Sequence, residues 1–474
     1  MSTEPSSMRL PAELWLRIFQ LATVVPGILE IEALDPFDSP TALLPHSEYE
    51  WLSSTAKSAL VTKRALVQVC KDFYWLATPL LYEAVFIGPP KSTSVRSLRD
   101  AIQKSKQVAE TNTSGGRALG SWTRRLVMTR TNYYDPSFDE VGFQCLADIM
   151  SCMPNLEILS VHTNALDLYI PSFVVDSLIA TSKCSLRKLY FQRDSGLHLR
   201  ASDCINLLES CRELRAVSLG DFGGCKGLCP IDLLRVSEPS FLSICSTPAG
   251  CASKHLEHTP ARPSLRHALF SRHGHNTENS VAAMCHFLTI QGQYLESIQL
   301  DARFTPYDWT QIALNLFADY CISLTHLTLI LGSTSWRSLN PNGLTLPPIT
   351  HLGLYFDRHQ VSNPGDFHQL FRCLSNTHAP SLKVVRILEP RRARHLRRYV
   401  SEGRDVGFSF LSSCKFRLED FDGQSIFPMP TARQSRLPRR AYLTFSKQRG
   451  LLSNVFHSPP SDNDLTMLLA GSGV

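Results

Sequence analysis

The 474-residue sequence has no long hydrophobic run. Its longest candidate, "LTHLTLILG", has the length of a strand and falls well short of the roughly 18 apolar residues a membrane helix needs. Neither a membrane span nor a membrane partner is expected. A secretory leader is not expected either: the first apolar segment is broken by Glu13 and Arg17, and no small-residue cleavage site follows. Strong charge bias is also missing. Lys and Arg total 48 and Asp and Glu 42, a net charge of +6, which is mild for this length and gives no case for nucleic acid. The 14 cysteines are scattered singly, unlike a small secreted disulfide framework. They read as free, mostly buried thiols in a reducing compartment, the cytoplasm or nucleus.

Catalytic signatures are missing as well. There is no G-x-S-x-G, no H-E-x-x-H and no G-x-x-x-x-G-K-[ST]. No nucleophile stands at a legible spacing from a base, so no enzyme activity, catalytic residue or cofactor is expected. Cys225, Cys229, Cys245, Cys251, His255 and His258 have the chemistry of zinc ligands. Their spacings (C-x3-C, C-x5-C, H-x2-H) miss the tighter patterns of structural zinc sites, so they read as a plain insertion. Arg391, Arg392, Arg394, Arg397, Arg398 and Arg404 form a basic run that reads as a solvated helix face.

What the sequence does have begins with "LPAELWLRIFQLA", Leu10 to Ala22, where Leu10, Leu14, Ile18 and Leu21 recur at helical intervals. Pro26, Gly27, Pro36, Pro40 and Pro45 follow, and proline at that density predicts a loop or insertion over about 23–55. Helical patterning returns over Lys57 to Gly88, with Pro79 placed to start a last short turn. Residues 91–118, rich in Ser, Thr, Lys and Gln, predict an exposed helix and a linker.

From about residue 119 a unit recurs in the form apolar-x-x-apolar-x-apolar: "LEILSV", "LRKLYF", "LRAVSL", "LRHALF", "LESIQL", "LTHLTL", "ITHLGL" and "LKVVRI", with "RRLVM" as a weaker first member. Its middle position falls at Leu126, Leu159, Leu189, Val217, Ala268, Ile298, Leu327, Leu352 and Val385. The steps are 33, 30, 28, 51, 30, 29, 25 and 33, close to a leucine-rich-repeat period except for one. The step of 51 fits either a long insertion, at about 222–262, or a degenerate unit around "SFLSIC". Between the units, "DEVGFQCLADIMSCM", "FVVDSLIATS", "ASDCINLLESC", "SVAAMCHFL" and "WTQIALNLFADYC" carry helical apolar spacing. A strand and a helix in each unit predict an α/β fold: a right-handed leucine-rich-repeat solenoid over 119–422, parallel strands on the concave side and helices outside. Residues 423–474 predict an irregular, partly disordered tail.

The first 90 residues resemble an F-box domain of the fungal type. The resemblance rests on Leu10, Pro11, Glu13, Leu14, Ile18 and Phe19, then on Val69, Cys70, Lys71, Phe73, Leu76 and Ala77. The Pro-rich insertion between the two blocks departs from the family's pattern. An F-box followed by leucine-rich repeats is a familiar pairing. The resemblance implies the substrate-recognition subunit of a cullin-RING ubiquitin ligase. Leu10, Pro11, Leu14, Ile18, Phe19, Val69, Cys70 and Phe73 would dock a Skp-type adaptor, and the solenoid would hold a protein target. The alternative is a repeat scaffold with no ligase role. Because side chains alternate along a strand, the positions between the buried ones face the concave surface. Tyr190, Ser218, Gln299 and Thr328, with Ser160 and Gly353, are therefore the candidate target contacts.

Overall fold

The computed structural model describes residues 10–25, 27–31, 37, 45–87, 92–111, 117–130, 140–163, 168–191, 197–219, 241–245, 264–271, 277–303, 307–332, 345–356, 373–374, 376–377, 379–401 and 416–426. The chain is an α/β protein. Its described residues form ten α-helices and two all-parallel sheets, one of twelve strands and one of two. None of the described helices is long and apolar enough to cross a membrane.

Three helices open the chain: α1 (Ala12–Thr23), α2 (Pro45–Val67) and α3 (Lys71–Tyr82). α1 starts directly after Pro11 and carries Glu13 in its first turn, where the helix dipole favours a carboxylate. α2 begins at Pro45, inside the stretch expected to be loop. Proline is tolerated there because a first-turn amide has no intrahelical acceptor. α3 runs through Pro79, which therefore lies inside a helix instead of starting a separate turn. Phe19, Ala77 and Leu80 form the buried centre of the three helices, with Trp15, Leu16, Leu66, Val67, Phe73 and Leu76 packed around it. The Phe19 and Phe73 rings meet edge to face at 4.7 Å, and Trp15 lies 4.9 Å from Phe73.

Helix was expected to continue to Gly88, but Ala84–Ile87 is a strand, β1, the first of the large sheet. Val85 and Ile87 enter the main core, while Ala84 and Phe86 join a second cluster with Val25, Ile28 and Ala56. Two-residue alternation between two apolar environments is a strand's requirement, and it wins over the helical spacing upstream.

The remaining strands are β2 (Arg125–Arg130), β3 (Ile158–Thr163), β4 (Leu168–Tyr169), β5 (Lys188–Phe191), β6 (Leu197–His198), β7 (Ala216–Leu219), β8 (Phe241–Cys245), β9 (His267–Ser271), β10 (Ser297–Asp301), β11 (His326–Leu331), β12 (His351–Phe356), β13 (Val384–Ile387) and β14 (Arg417–Glu419). β4 pairs only with β6; the other twelve follow one another in sequence order across the sheet. All nine predicted middle positions align as direct partners across neighbouring strands. Val85, Leu242 and Leu418 complete the row. Leu242 comes from "SFLSIC" and splits the step of 51, so a degenerate unit lies there. None of the twelve side chains is more than 7% exposed. At about 1.5–3 kcal/mol for each fully buried Val, Leu or Ile, this row is a major stabilising element of the chain.

A backbone device recurs beside the row. At several strand starts the amides of two successive residues donate to one carbonyl of the previous unit: Glu157 and Ile158 to Arg124 O, Arg187 and Lys188 to Glu157 O, Thr325 and His326 to Glu296 O, Lys383 and Val384 to Thr350 O. Side chains at these positions alternate in charge where Arg124 lies 2.8 Å from Glu157 and 3.8 Å from Glu83.

Helices cover one side of this row. α4 (Ser92–Thr111), α5 (Glu140–Met150), α6 (Ser172–Ser182), α7 (Ala201–Ser210) and the helices Thr277–Gln291, Tyr307–Tyr320 and Pro390–Ser401 account for the rest. All five sequence-predicted helices are present. α4 differs from the exposed helix expected of it, because Val95 and Ile102 enter the main core. Leu146, Ile149, Leu178, Leu207, Phe287, Leu314, Phe317 and Leu396 bring the other helices into the same core.

Gly353 shows how tightly the opposite side of the sheet is filled. A Cβ there would come within 2.7 Å of Leu388 Cδ1 and 2.9 Å of Thr328 Oγ1. Gly353→Ala is expected to cost about 1–3 kcal/mol through overpacking, read as a lowered urea midpoint. An unchanged midpoint would mean that Leu388 moves aside freely.

Candidate functional site

Two surfaces collect the residues singled out from sequence. The first is on the three opening helices. α1 is apolar on both sides. Trp15, Leu16 and Phe19 point into the helical core, whereas Leu10, Leu14, Ile18 and Leu21 are 39–52% exposed. With steps of four, four and three residues, these four form one stripe. Pro11, Val69 and Cys70 are exposed too. Six of the eight proposed adaptor contacts therefore lie at the surface. The other two do not stand with them: Phe19 is 2% exposed and Phe73 half-buried, and both serve the core that holds α1 on α3. Phe19 faces inward because positions 15, 16 and 19 share the helix side opposite the stripe.

Sequence reasoning missed further apolar surface on the same helices. Val24, Val61, Tyr74 and Trp75 are exposed, Trp75 to 72%, and the Tyr74 and Trp75 rings meet edge to face at 5.7 Å. The signal was present in "KDFYWLA": three successive aromatics on one helix cannot all face one core.

The second surface is the face of the large sheet away from the helices. Ser160, Tyr190, Ser218, Gln299, Thr328 and Gly353 lie on it in register. They are all buried, where an open strand face was expected. The Tyr190 ring lies 5.3 Å from that of His162, tilted by 38°, and Ser218 Oγ donates to Phe191 O at 3.5 Å. Asp301 and Arg303, 2% and 4% exposed, form an ion pair at 2.8 Å. Leu269, Ile330, Tyr355 and Leu388 make a separate apolar cluster on this side.

Part of the cover comes from the segment between α1 and α2. Arg125, 1% exposed, donates to Ile28 O at 2.8 Å and to Ser160 Oγ at 3.1 Å. Lys188 Nζ donates to Glu30 O at 3.4 Å. At the other end, the Phe37 ring sits 5.1 Å from both His326 and His351, which lie 4.6 Å apart. The Arg386 guanidinium lies 5.2 Å from the centre of the same ring and also donates to Phe37 O. Arg386 is aimed by Glu419, which accepts from its Nε at 3.0 Å and its Nη2 at 2.7 Å. Both imidazoles are oriented locally. The Thr325 and Thr350 hydroxyls each donate to a backbone carbonyl at 3.1 Å and also lie 3.1 Å and 2.9 Å from Nδ1 of His326 and His351.

The other candidate groups are placed as follows. Nine of the cysteines among the described residues are free, and six of these are buried. Burial pushes the Cys321 thiol up to about 12 and those of Cys211 and Cys373 up to about 11, which keeps all three protonated at neutral pH. No group of three or more His, Cys, Asp or Glu among the described residues has the geometry of a metal site. Cys225, Cys229, Cys251, His255 and His258 lie outside the described residues, and Cys245 ends β8. The basic run lies on the helix Pro390–Ser401, except for Arg404, which is outside the described residues. Ala393 and Leu396 are buried, Arg391, Arg394 and Arg398 are exposed, and Arg397 pairs with buried Asp420 at 2.7 Å. Comparison of the chain with protein-family models gives no match, and comparison with curated protein sequences gives none either.

Proposed function

We propose that this chain is the substrate-recognition subunit of a cullin-RING ubiquitin ligase, acting in the cytoplasm or nucleus. Residues 1–90 would be an F-box-like module docking a Skp-type adaptor, and 119–422 a right-handed leucine-rich-repeat solenoid holding a protein target. The observation that carries this reading is the exposed stripe Leu10, Leu14, Ile18 and Leu21 on a helix whose other side is already satisfied by the core. An amphipathic helix has one apolar side to bury; a second apolar side is a cost in water unless a partner covers it. Trp75 and Tyr74 add the residue types that most often anchor such interfaces. The solenoid reading is supported by the row of twelve partners in sequence order and by the backbone device repeated from unit to unit. In such an assembly the chemistry belongs to partner proteins, and this chain raises the rate by positioning a lysine of the target.

The test is co-purification of a Skp-type adaptor with the full chain, wild type against Leu14→Asp/Ile18→Asp. Both side chains are half-exposed, so the double variant is expected to keep its far-ultraviolet circular dichroism and thermal midpoint. Two charges would then face an apolar groove, and adaptor recovery is expected to fall at least tenfold. Adaptor recovered equally with both chains would overturn the docking site. No adaptor with either would leave the scaffold without a ligase role as the better reading.

A further inference from the structure

We propose that the outer stripe of the helix Pro390–Ser401, carrying Arg391, Arg394 and Arg398, is a docking surface for an extended acidic segment of a partner protein. The proposal does not depend on the adaptor.

The helix has two unlike sides. Ala393 and Leu396, both 0% exposed, face the core. Arg391, Arg394, His395 and Arg398 are exposed, and their spacing places them on one stripe opposite the buried pair. Residues 390–401 contain five Arg and one His, and no Asp or Glu.

Solubility alone does not call for such a set. Arg391 and Arg394 stand three residues apart, Arg394 and Arg398 four, so like charges repel along the stripe. Arg391 and Arg392 also occupy the first turn, where the helix dipole disfavours cations. Glu389, 5% exposed, holds that end by accepting from the backbone amides of both. The helix therefore forms through its cap and its buried side, and the outer arginines work against it. A surface that departs from local preference at a cost is where a binding role is expected.

The shape of the stripe selects the partner. Arg397, on one flank, is already paired with buried Asp420 at 2.7 Å, and Arg392, on the other, is half-buried. The exposed charge is thus a single narrow line. At 1.5 Å per residue it runs about 10 Å from Arg391 to Arg398. Side chains on one face of an extended peptide recur about every 6.6 Å, so about two carboxylates of such a peptide lie along it. Guanidinium groups bind carboxylates through paired hydrogen bonds, which suits arginine over lysine here. A nucleic acid would need cations spread over a broader face, and the net charge of +6 is mild for a chain of this length. Binding through exposed charges also weakens as salt is raised.

The experiment uses the full chain in three forms: wild type, Arg391→Gln/Arg394→Gln/Arg398→Gln, and Lys183→Gln/Arg212→Gln/Arg215→Gln. The last removes equal charge from exposed positions elsewhere on the surface. The probe is a fluorescein-labelled peptide of alternating Glu and Ser, followed by anisotropy, with an oligothymidylate of equal charge beside it. Wild type is expected to bind the peptide more tightly than the oligonucleotide, and less tightly as salt is raised. The helix variant should lose about tenfold or more in affinity, and the control variant should stay within about twofold of wild type. The thermal midpoint of the helix variant should equal or exceed that of wild type, because repulsion along the stripe is relieved. No peptide binding by wild type, equal loss in both variants, or tighter binding of the oligonucleotide would each overturn the proposal. Should the helix variant fold poorly, Arg394→Glu alone decides it, and unchanged peptide affinity there would be fatal.

Discussion

Leu327→Asp should abolish the cooperative unfolding of the sheet's C-terminal half, while Thr328→Val, one residue on, should leave stability unchanged or slightly raised. Leu327 is fully buried and stands between Ile298 and Leu352 in adjacent strands. Removing its side chain alone costs about 2–5 kcal/mol. Burying a carboxylate against those neighbours adds several more, or forces it to stay protonated. Domains are stable by only about 5–15 kcal/mol, so the sum competes with the whole. Thr328 is 1% exposed, and its hydroxyl has no hydrogen-bond partner among the described residues. Valine keeps the shape and drops that hydroxyl, so the change is expected to be neutral or to stabilise by about 1 kcal/mol. Urea unfolding followed by circular dichroism separates the two. A Leu327→Asp chain that unfolds at the wild-type midpoint would show that the row does not carry a shared core.

Where the sequence pattern was complete, the strands were legible. A leading leucine three residues before the middle position marks most units, as Leu156 precedes Leu159 and Leu324 precedes Leu327. In the large sheet, the strands left unassigned, β1 and β14, and the one left open between insertion and degenerate unit, β8, lack that marker. β1 has Tyr82 in its place, at the end of a helical stretch. β14 has Lys415 there, and β8 has Pro239. In each case the side chain still lands in register, because the parallel ladder and the buried row decide it, not the missing leucine.

The second sheet face was misjudged for a different reason. Alternation says which side of a strand a residue occupies, not what lies on that side. Phe37 meets His326 and His351 from far away in the sequence, and local periodicity carries no trace of such a contact. A hint existed nonetheless. "LTLIL" and "LGLYF" run on past the alternating pattern, and Ile330 and Tyr355 are the large apolar residues that put a cluster on the face expected to be wet.

On the opening helices the same distinction between an inward and an outward apolar side yields the last prediction. Phe19→Ala is expected to destabilise the three helices by about 3–5 kcal/mol, the usual cost of removing a fully buried phenylalanine. Its ring meets Phe73 and Trp15 and packs over Ala77 and Leu80, so the cavity would open at the centre of this small core. A core of three short helices has few other contacts with which to absorb that loss. If the proposed adaptor docks on α1, its recovery would fall too, as a consequence of unfolding. Hydrogen exchange should show amides of α1 and α3 losing protection in Phe19→Ala while those of β10 to β12 keep theirs. In Leu14→Asp/Ile18→Asp, protection should be retained throughout, because those side chains face water. If Phe19→Ala instead retained full protection in α1, the phenylalanine would not be the residue that fixes this helix, and the assignment of an inward and an outward side to α1 would fail with it.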